Sequence, residues 1–420
     1  MRKILMIAFH FPPAFGSSGL HRTVKFSQYL PNHGWQPTVL TAHPRAHEQT
    51  LPCAERDALV EYAFALDAAR HLSIKGRYPG WAAVPDRWIS WFPAAVIKGR
   101  RLIREMRPDV IWSTYPIATA HLIGLALHRW SGIPWVADLR DPMSEIDPAT
   151  GIEYPLDPAV RKANRWIERR VISNCARAVL TTPGTAAIYA KRYPDIPAKR
   201  WAIIGNGFDE DDFRDAERTA DTAHAAQGKR TVLVHSGTLY TDNRDPRAFF
   251  EALGGLQRAG HLSAESLRIV LRASGSEDFY AGLLRERGIE DIVLLEPAIP
   301  YREALVEMLQ ADGLLIFQAS NCNYQIPAKL YECLRARRPI LALTDPAGDT
   351  AALLRAEHID TILPLDDAAA IRAGLLDFLA RLRAGTAPCG NEASVSKHAR
   401  EARTAELAEL LDDVLLQPTA

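Results

Sequence analysis

Cysteine is scarce in this chain. The five present (Cys53, Cys175, Cys322, Cys333 and Cys389) lie far apart, are odd in number and form no C-x-x-C pair. That pattern excludes a disulfide framework and a structural zinc site, and it points to a reducing compartment. Net charge is missing too: Lys+Arg and Asp+Glu are 50 each, so no overall field recruits nucleic acid and any basic surface must be local. No apolar run is long enough to span a membrane. The opening MRKILMIAF is cut short as a signal-peptide core by His10 and two prolines, and reads as a strand. Low-complexity segments and short-period repeats are also lacking. These absences predict a cytoplasmic protein, either free or peripheral at the inner membrane face.

What is present is an ordinary globular composition, 47% apolar and 24% charged, in 420 residues. That length exceeds what one core usually supports, so two domains are expected. Short apolar runs alternate with longer helical patterns. In the first half the runs are 4–9, 38–41, 110–113, 135–139, 179–182 and 201–204. In the second they are 232–235, 267–271, 292–295, 313–317, 340–343 and 361–365. Runs of this kind suit strands buried on both faces of a parallel sheet with helices on either side. The fold class predicted is α/β, with two doubly wound parallel-sheet domains. Their boundaries are read as 1–213, a polar linker or short exposed helix at 214–229, a second domain at 230–393, and a C-terminal helix at 394–420 that caps one of the two domains, packing back on the first or covering the second. All nine tryptophans lie at or before Trp201.

The stretch 323–343, NYQIPAKLYECLRARRPILAL, carries the sharpest chemistry. Pro327 suits a helix start, Leu330, Cys333 and Leu334 recur at helical spacing, and Pro339 ends the helix before a strand. Lys329 and Glu332 fall on one face of the first turns. A phosphate at that N-terminus would satisfy the ammonium and the free backbone N–H groups, and the glutamate could accept from a ribose. The plainer alternative is an amphipathic helix with a Lys–Glu pair.

In open parallel sheets ligands bind beyond the carboxyl ends of the strands, so the loops there are the candidates. After the first strand, Gly16, Ser17, Ser18 and Gly19 precede a helix and let a ligand approach the backbone closely. This is not G-x-G-x-x-G and no acidic residue ends the second strand, which disfavours a nicotinamide dinucleotide. WVADLRDP at 135–142 puts Asp138, Arg140 and Asp141 at a strand end, as acceptor-binding groups or as turn-capping residues. NGFDEDDF at 206–213 contains a D-x-D-like run that needs no metal. HSGTLYTDNRDP at 235–246 offers Gly237 and Thr238 at a strand end and Arg244 before a helix, where a guanidinium could fork onto a diphosphate or pair with Asp242. Trp81–Arg107 mixes aromatic and basic residues, as a contact with an anionic membrane or as a domain helix with a solvated basic face. G-x-S-x-G and Walker A are absent.

Taken together, Gly16–Gly19, WVADLRDP, IIGNGFDEDDF at 203–213, HSGTLY at 235–240, IVLLEPAIPYREAL at 292–305 and IPAKLYECLRARRPIL at 326–341 resemble the GT-B glycosyltransferases, and in particular the family 4-like enzymes of bacterial surface-polysaccharide assembly. The resemblance implies two Rossmann-like domains facing across a cleft. It also implies a nucleotide-sugar donor held by the second domain, a glycan or lipid-linked acceptor held by the first, no obligatory metal or other cofactor, and retention of anomeric configuration. On it, Arg244 and Lys329 take the catalytic diphosphate-binding roles, with Gly237, Thr238 and Glu332 also at the donor. Gly16, Ser17, Ser18, His21, Asp138, Arg140 and Asp141 are the acceptor side. Glu332 matches the second glutamate of the family's E-x7-E, whereas Tyr324 stands at the first. That departure keeps two alternatives open: a non-catalytic sugar-nucleotide-binding partner in an assembly complex, and a GT-B-fold nucleotide-sugar epimerase.

Overall fold

The computed structural model describes residues 1–14, 18–48, 59–147, 150–223, 230–241 and 244–416. The chain forms two compact units, 1–206 with 400–420, and 207–399.

The first unit is built on β1 (Arg2–Ile7), β2 (Trp35–Ala42), β3 (Leu59–Ala63), β4 (Val110–Thr114) and β5 (Trp135–Arg140). A small antiparallel pair follows, β6 (Glu145–Ile146) and β7 (Glu153–Tyr154), and then β8 (Arg177–Leu180) and β9 (Trp201–Ile203). The seven-stranded sheet runs β3-β2-β1-β4-β5-β8-β9, parallel throughout. Its central strands are buried on both faces, which is why they read as unbroken apolar runs. Helices α1 (Ser18–Tyr29), α2 (Ala68–His71), α3 (Trp91–Met106), α4 (Ala118–Ser131), α5 (Pro158–Asn174) and α6 (Pro183–Arg192) connect the strands. The order of connection reverses at β1, between β2 and β4. Loops after β1, β4 and β5 therefore gather at the carboxyl end of the sheet, at a switch point.

The second unit repeats the plan with β10 (Thr231–Ser236), β11 (Leu267–Arg272), β12 (Val293–Glu296), β13 (Gly313–Gln318), β14 (Ile340–Thr344) and β15 (Ile362–Leu363), in the order β12-β11-β10-β13-β14-β15. Its helices are α7 (Glu210–Ala223), α8 (Arg247–Arg258), α9 (Glu277–Arg287), α10 (Tyr301–Gln310), α11 (Ala328–Ala336), α12 (Asp349–Ala356), α13 (Ala368–Arg383) and α14 (Glu392–Val395). Here the switch lies at β10, between β11 and β13. All six residues of β13 and all five of β14 are buried.

For two stretches the structure decides between the alternatives that the sequence leaves open. Residues 214–223, read as linker or short exposed helix, continue α7, which packs Phe213, Ala216 and Ala220 against the core beside α10. Arg335 ties that helix down through Glu210, at 2.6 and 2.7 Å, and Glu217 at 2.8 Å. Glu210 belongs to the acidic run at 209–212, so that run serves the first turn of α7. Its spaced apolar residues are small alanines, which is why the pattern looks weak. Residues 224–229 lie outside the described residues. In Trp81–Arg107, Trp91 is fully buried, while Trp88 and Phe92 pack against the first unit's core, so the α3 aromatics are core residues. The last helix, α15 (Arg400–Leu416), belongs to the first unit and lays Leu407, Leu411 and Val414 into the core that contains Phe26 of α1.

Candidate functional site

At the carboxyl end of β10 the backbone of Gly237 takes φ 139, a conformation that L side chains rarely adopt. Its N–H donates to Arg272 O at 2.8 Å, which fixes the bend. The side chain of Lys329, in the first turn of α11, lies directly against it. A Cβ placed on Gly237 would sit 3.3 Å from Lys329 Cε and 3.6 Å from Nζ. Among the described residues no carboxylate pairs with that ammonium. Arg244 approaches from the same loop: its Nη1 donates to Thr238 O at 3.1 Å and its guanidinium stands 5.5 Å from the Tyr240 ring centroid. Thr238 is thus engaged through its carbonyl. The alternative partner for Arg244, Asp242, lies outside the described residues.

Lys329 against Gly237 and Arg244 on the carbonyl of Thr238, the next residue, bring the two cations to one loop, and His235 is buried in the strand that leads into it. The His235 Nδ1–H donates to Leu315 O at 2.9 Å. Burial, then the charges of Lys329 and Arg244, lower the imidazole to about 4. One imidazole feels both side chains although they come from loops 85 residues apart in sequence. Two cations and the N-terminus of α11 therefore meet at one end of the second sheet, an arrangement suited to an anion such as a diphosphate. Glu332, one turn along α11, is half-buried and accepts from Tyr301 Oη at 3.0 Å. Tyr324 is half-buried in the turn before α11.

The acceptor-side expectations fare differently. Gly16 and Ser17 lie outside the described residues, and Ser18 is the first residue of α1. His21 is half-buried on that helix. Asp138 is corrected: it is fully buried and occupied by Arg22, with Nε at 3.0 Å on one oxygen and Nη2 at 2.9 Å on the other, and by Thr114 Oγ1 at 2.9 Å. A carboxylate so saturated holds the fold and is closed to an acceptor hydroxyl. The same Arg22 donates to Gly205 O and Ile204 O.

Just beyond Asp138 the register of β5 against β8 slips, and Arg140 takes φ 60. The slip is a bulge, a device that re-aims the next side chain. Arg140 is buried and its Nη1 donates to Tyr115 O at 3.3 Å. Asp141 follows, half-buried, its carboxyl pushed above the usual range by burial against the opposing pull of Arg140 and Arg22. His10, after β1, and His47, after β2, join this group. Burial first, and then His47 and Arg140, hold His10 neutral to about 4. Burial and Arg70 do the same for His47. Burial, followed by Asp141 and Glu145, raises the Tyr115 phenol.

Sequence reasoning missed Arg22, His10, His47, Tyr115 and His235. His10 and His47 stand three and five residues past strand ends, so the rule about loops after strands would have found them. Arg22, on a helix and without a motif, gave no signal.

Residues 21–207 match the sequence family described as a glycosyl transferase 4-like domain. Solved structures similar to the chain over nearly its whole length include glycosyltransferases, and also the UDP-GlcNAc 2-epimerase of Neisseria meningitidis, with a TM-score of 0.52 at 12% identity and 98% of this chain and 100% of that one covered. Sucrose-phosphate synthase of Thermosynechococcus elongatus has a TM-score of 0.66 at 14% identity, with 98% of this chain and 99% of that one covered. HepE of Anabaena in complex with UDP gives 0.65 at 13%, covering 98% and 100%; its complex with UDP-glucose gives 0.63 at 14%, with the same coverage. WaaG, a glycosyltransferase involved in lipopolysaccharide biosynthesis, gives 0.60 at 13%, covering 97% and 99%. Among curated proteins no sequence relative is found. The two parallel-sheet domains are those of the GT-B fold. Within that fold, the first unit carries the match to a glycosyl transferase 4-like domain.

Proposed function

We propose that the protein moves a sugar from a nucleotide-sugar donor to a glycan or lipid-linked acceptor, with retention of anomeric configuration and without an obligatory metal. The observation that carries this reading is the Lys329 ammonium, without a carboxylate among the described residues, lying against Gly237 while Arg244 donates to the carbonyl of Thr238, the next residue.

In such a transfer the anomeric C–O bond breaks and its electron pair leaves with the diphosphate. The acceptor oxygen forms the new bond on the same face, and its proton passes to the departing phosphate oxygen. Charge grows on the diphosphate, so cations fixed beforehand stabilise the transition state more than the ground state. One such donor is worth roughly 10²–10³ in rate. Glu332 would take the ribose hydroxyls in exchange for Tyr301. On the acceptor side, Asp141 and His10 are the groups suited to orient a hydroxyl. The UDP and UDP-glucose bound by HepE make uridine diphosphate sugars the first donors to try.

Thermal-shift measurements with UDP-glucose and other nucleotide sugars, followed by radiolabelled transfer with and without a lipid-linked acceptor, test the reading. A donor should raise the unfolding temperature and label should move to the acceptor. If no nucleotide sugar stabilises the protein, the proposal is rejected. Tyr324, where the resemblance expects a glutamate, favours one second reading, a binder that does not turn over. Stabilisation without transfer or epimerisation would establish it.

A further inference from the structure

Between Asp67 and Asp86 the chain has no carboxylate, yet it carries Arg70, Lys75 and Arg77. The structure makes this segment a projecting stub that follows β3 at the carboxyl end of the first sheet. Helix α2 and the 3-10 turn Gly80–Ala83 pack together as its base, and Ala68 N donates to Arg87 O at 2.8 Å. Its tip is a tight turn in which Lys75 has φ 51 and Gly76 φ 76. Ile74 and Arg77 exchange backbone hydrogen bonds across it, at 2.8 and 3.0 Å. Two left-handed residues at the centre are the mark of a type I′ turn, which holds its flanks in a fixed geometry.

The stub presents what a protein normally hides. Ile74 is 79% exposed and Trp81 78%, and Leu72 and Tyr78 are exposed beside them. Single exposed apolar residues need no explanation, but four within ten residues form a patch. Lys75 and Arg77 are exposed as well, and among the described residues neither has a carboxylate partner. A solvated loop would gain nothing from this composition, and a protein partner would need its own acidic, apolar complement. An anionic bilayer offers both at once: tryptophan and tyrosine settle at headgroup depth, isoleucine enters the acyl boundary, and cations meet lipid phosphates. The stub is also joined to the acceptor-side groups, because Arg70 Nη1 donates to His47 O at 2.6 Å and His47 acts on His10.

We infer that the stub docks on the surface of an anionic membrane, with Ile74 and Trp81 entering the interface and Lys75 and Arg77 on the headgroup phosphates. The docking serves a lipid-linked acceptor and rests on that reading for its purpose. Vesicle binding needs neither donor nor acceptor, so the two can fail separately.

The test is co-sedimentation of the full chain with vesicles of phosphatidylcholine alone and of phosphatidylcholine mixed with phosphatidylglycerol. Wild-type protein should bind the mixed vesicles and release them as salt rises. The variants Ile74→Ser/Trp81→Ser and Lys75→Glu/Arg77→Glu should each bind about tenfold less, with unfolding temperatures like wild type. The second variant changes no apolar residue, so a folding defect in the first leaves the question decidable. Three results would overturn the inference: no binding by wild type, binding by both variants equal to that of wild type, or a wild-type dimer in solution that Ile74→Ser/Trp81→Ser abolishes.

Discussion

Arg22 and Asp138 form a fork-to-fork pair out of water, the first 2% exposed and the second 0%, and their oxygen–nitrogen distances are 2.9 and 3.0 Å. The pair joins α1 to the end of β5, and through Gly205 O and Ile204 O it also fixes the chain after β9. Removing one member leaves the other charge buried and alone, which costs about 3–5 kcal/mol. Arg22→Ala and Asp138→Asn should each lower the urea midpoint accordingly. Arg22→Met/Asp138→Leu should cost less than the two single changes added, as a double-mutant cycle would show.

Lys329→Ala should leave the unfolding temperature unchanged, because the ammonium pairs with no carboxylate among the described residues. Turnover should fall about a hundredfold or more. Lys329→Arg should restore part of it, since charge returns but the fork is wider than an ammonium. Steady-state kinetics with the best donor from the thermal-shift screen read both.

Gly237→Ala places a methyl 3.3 Å from Lys329 Cε on a backbone at φ 139. Either the backbone relaxes or the lysine moves, at a cost of roughly 1–3 kcal/mol. Donor affinity measured by calorimetry should drop about tenfold, while acceptor KM stays near wild type.

Asp141→Asn keeps the shape of the residue and removes its ionisation. Transfer to the acceptor should fall about a hundredfold, and donor affinity should not change. Equal losses in donor binding would assign Asp141 to the fold instead.

Stability should fall in mild acid. His121, bonded through Nδ1 to Ser113 Oγ at 2.8 Å, and His235 are buried, and burial lowers both to about 4 from an ordinary 6.5. The unfolded chain therefore binds protons that the folded chain refuses. Their contribution is complete above pH 6.5 and is lost progressively between 6.5 and about 4. Each proton tilts the stability curve by about 1.4 kcal/mol per pH unit. Urea midpoints from neutral pH down to about 4.5 should show the slope, and His121→Gln should flatten it.

Much of this was legible in one dimension. Each of the twelve apolar runs overlaps a strand, and the central ones are apolar at nearly every position because they are buried on both faces. The edge strand β3 escaped notice because only its last residue, Ala63, is buried. In α3, aromatic and basic residues alternate in a way that suits a membrane. Yet helical periodicity turned Trp91 inward and Arg100 and Arg104 outward, over the Trp130 ring. Ile97 is exposed on α3 itself, and the cluster of exposed apolar residues, Trp81 among them, lies earlier, on the stub around Ile74, where no periodicity marks it.

Sequence by itself determined the two parallel sheets, the helix that begins after Pro327, and the residue types able to meet an anion. Those depend on local pattern, and local pattern survives in a linear string. Tertiary structure alone decided that Asp138 is consumed by Arg22 while Asp141 stands half-buried beyond the bulge. It alone brought Lys329 and Arg244 to one loop and gathered His10 and His47 beside Arg140. Each of those outcomes joins residues distant along the chain, where burial and charge act through space and spacing carries no record of them.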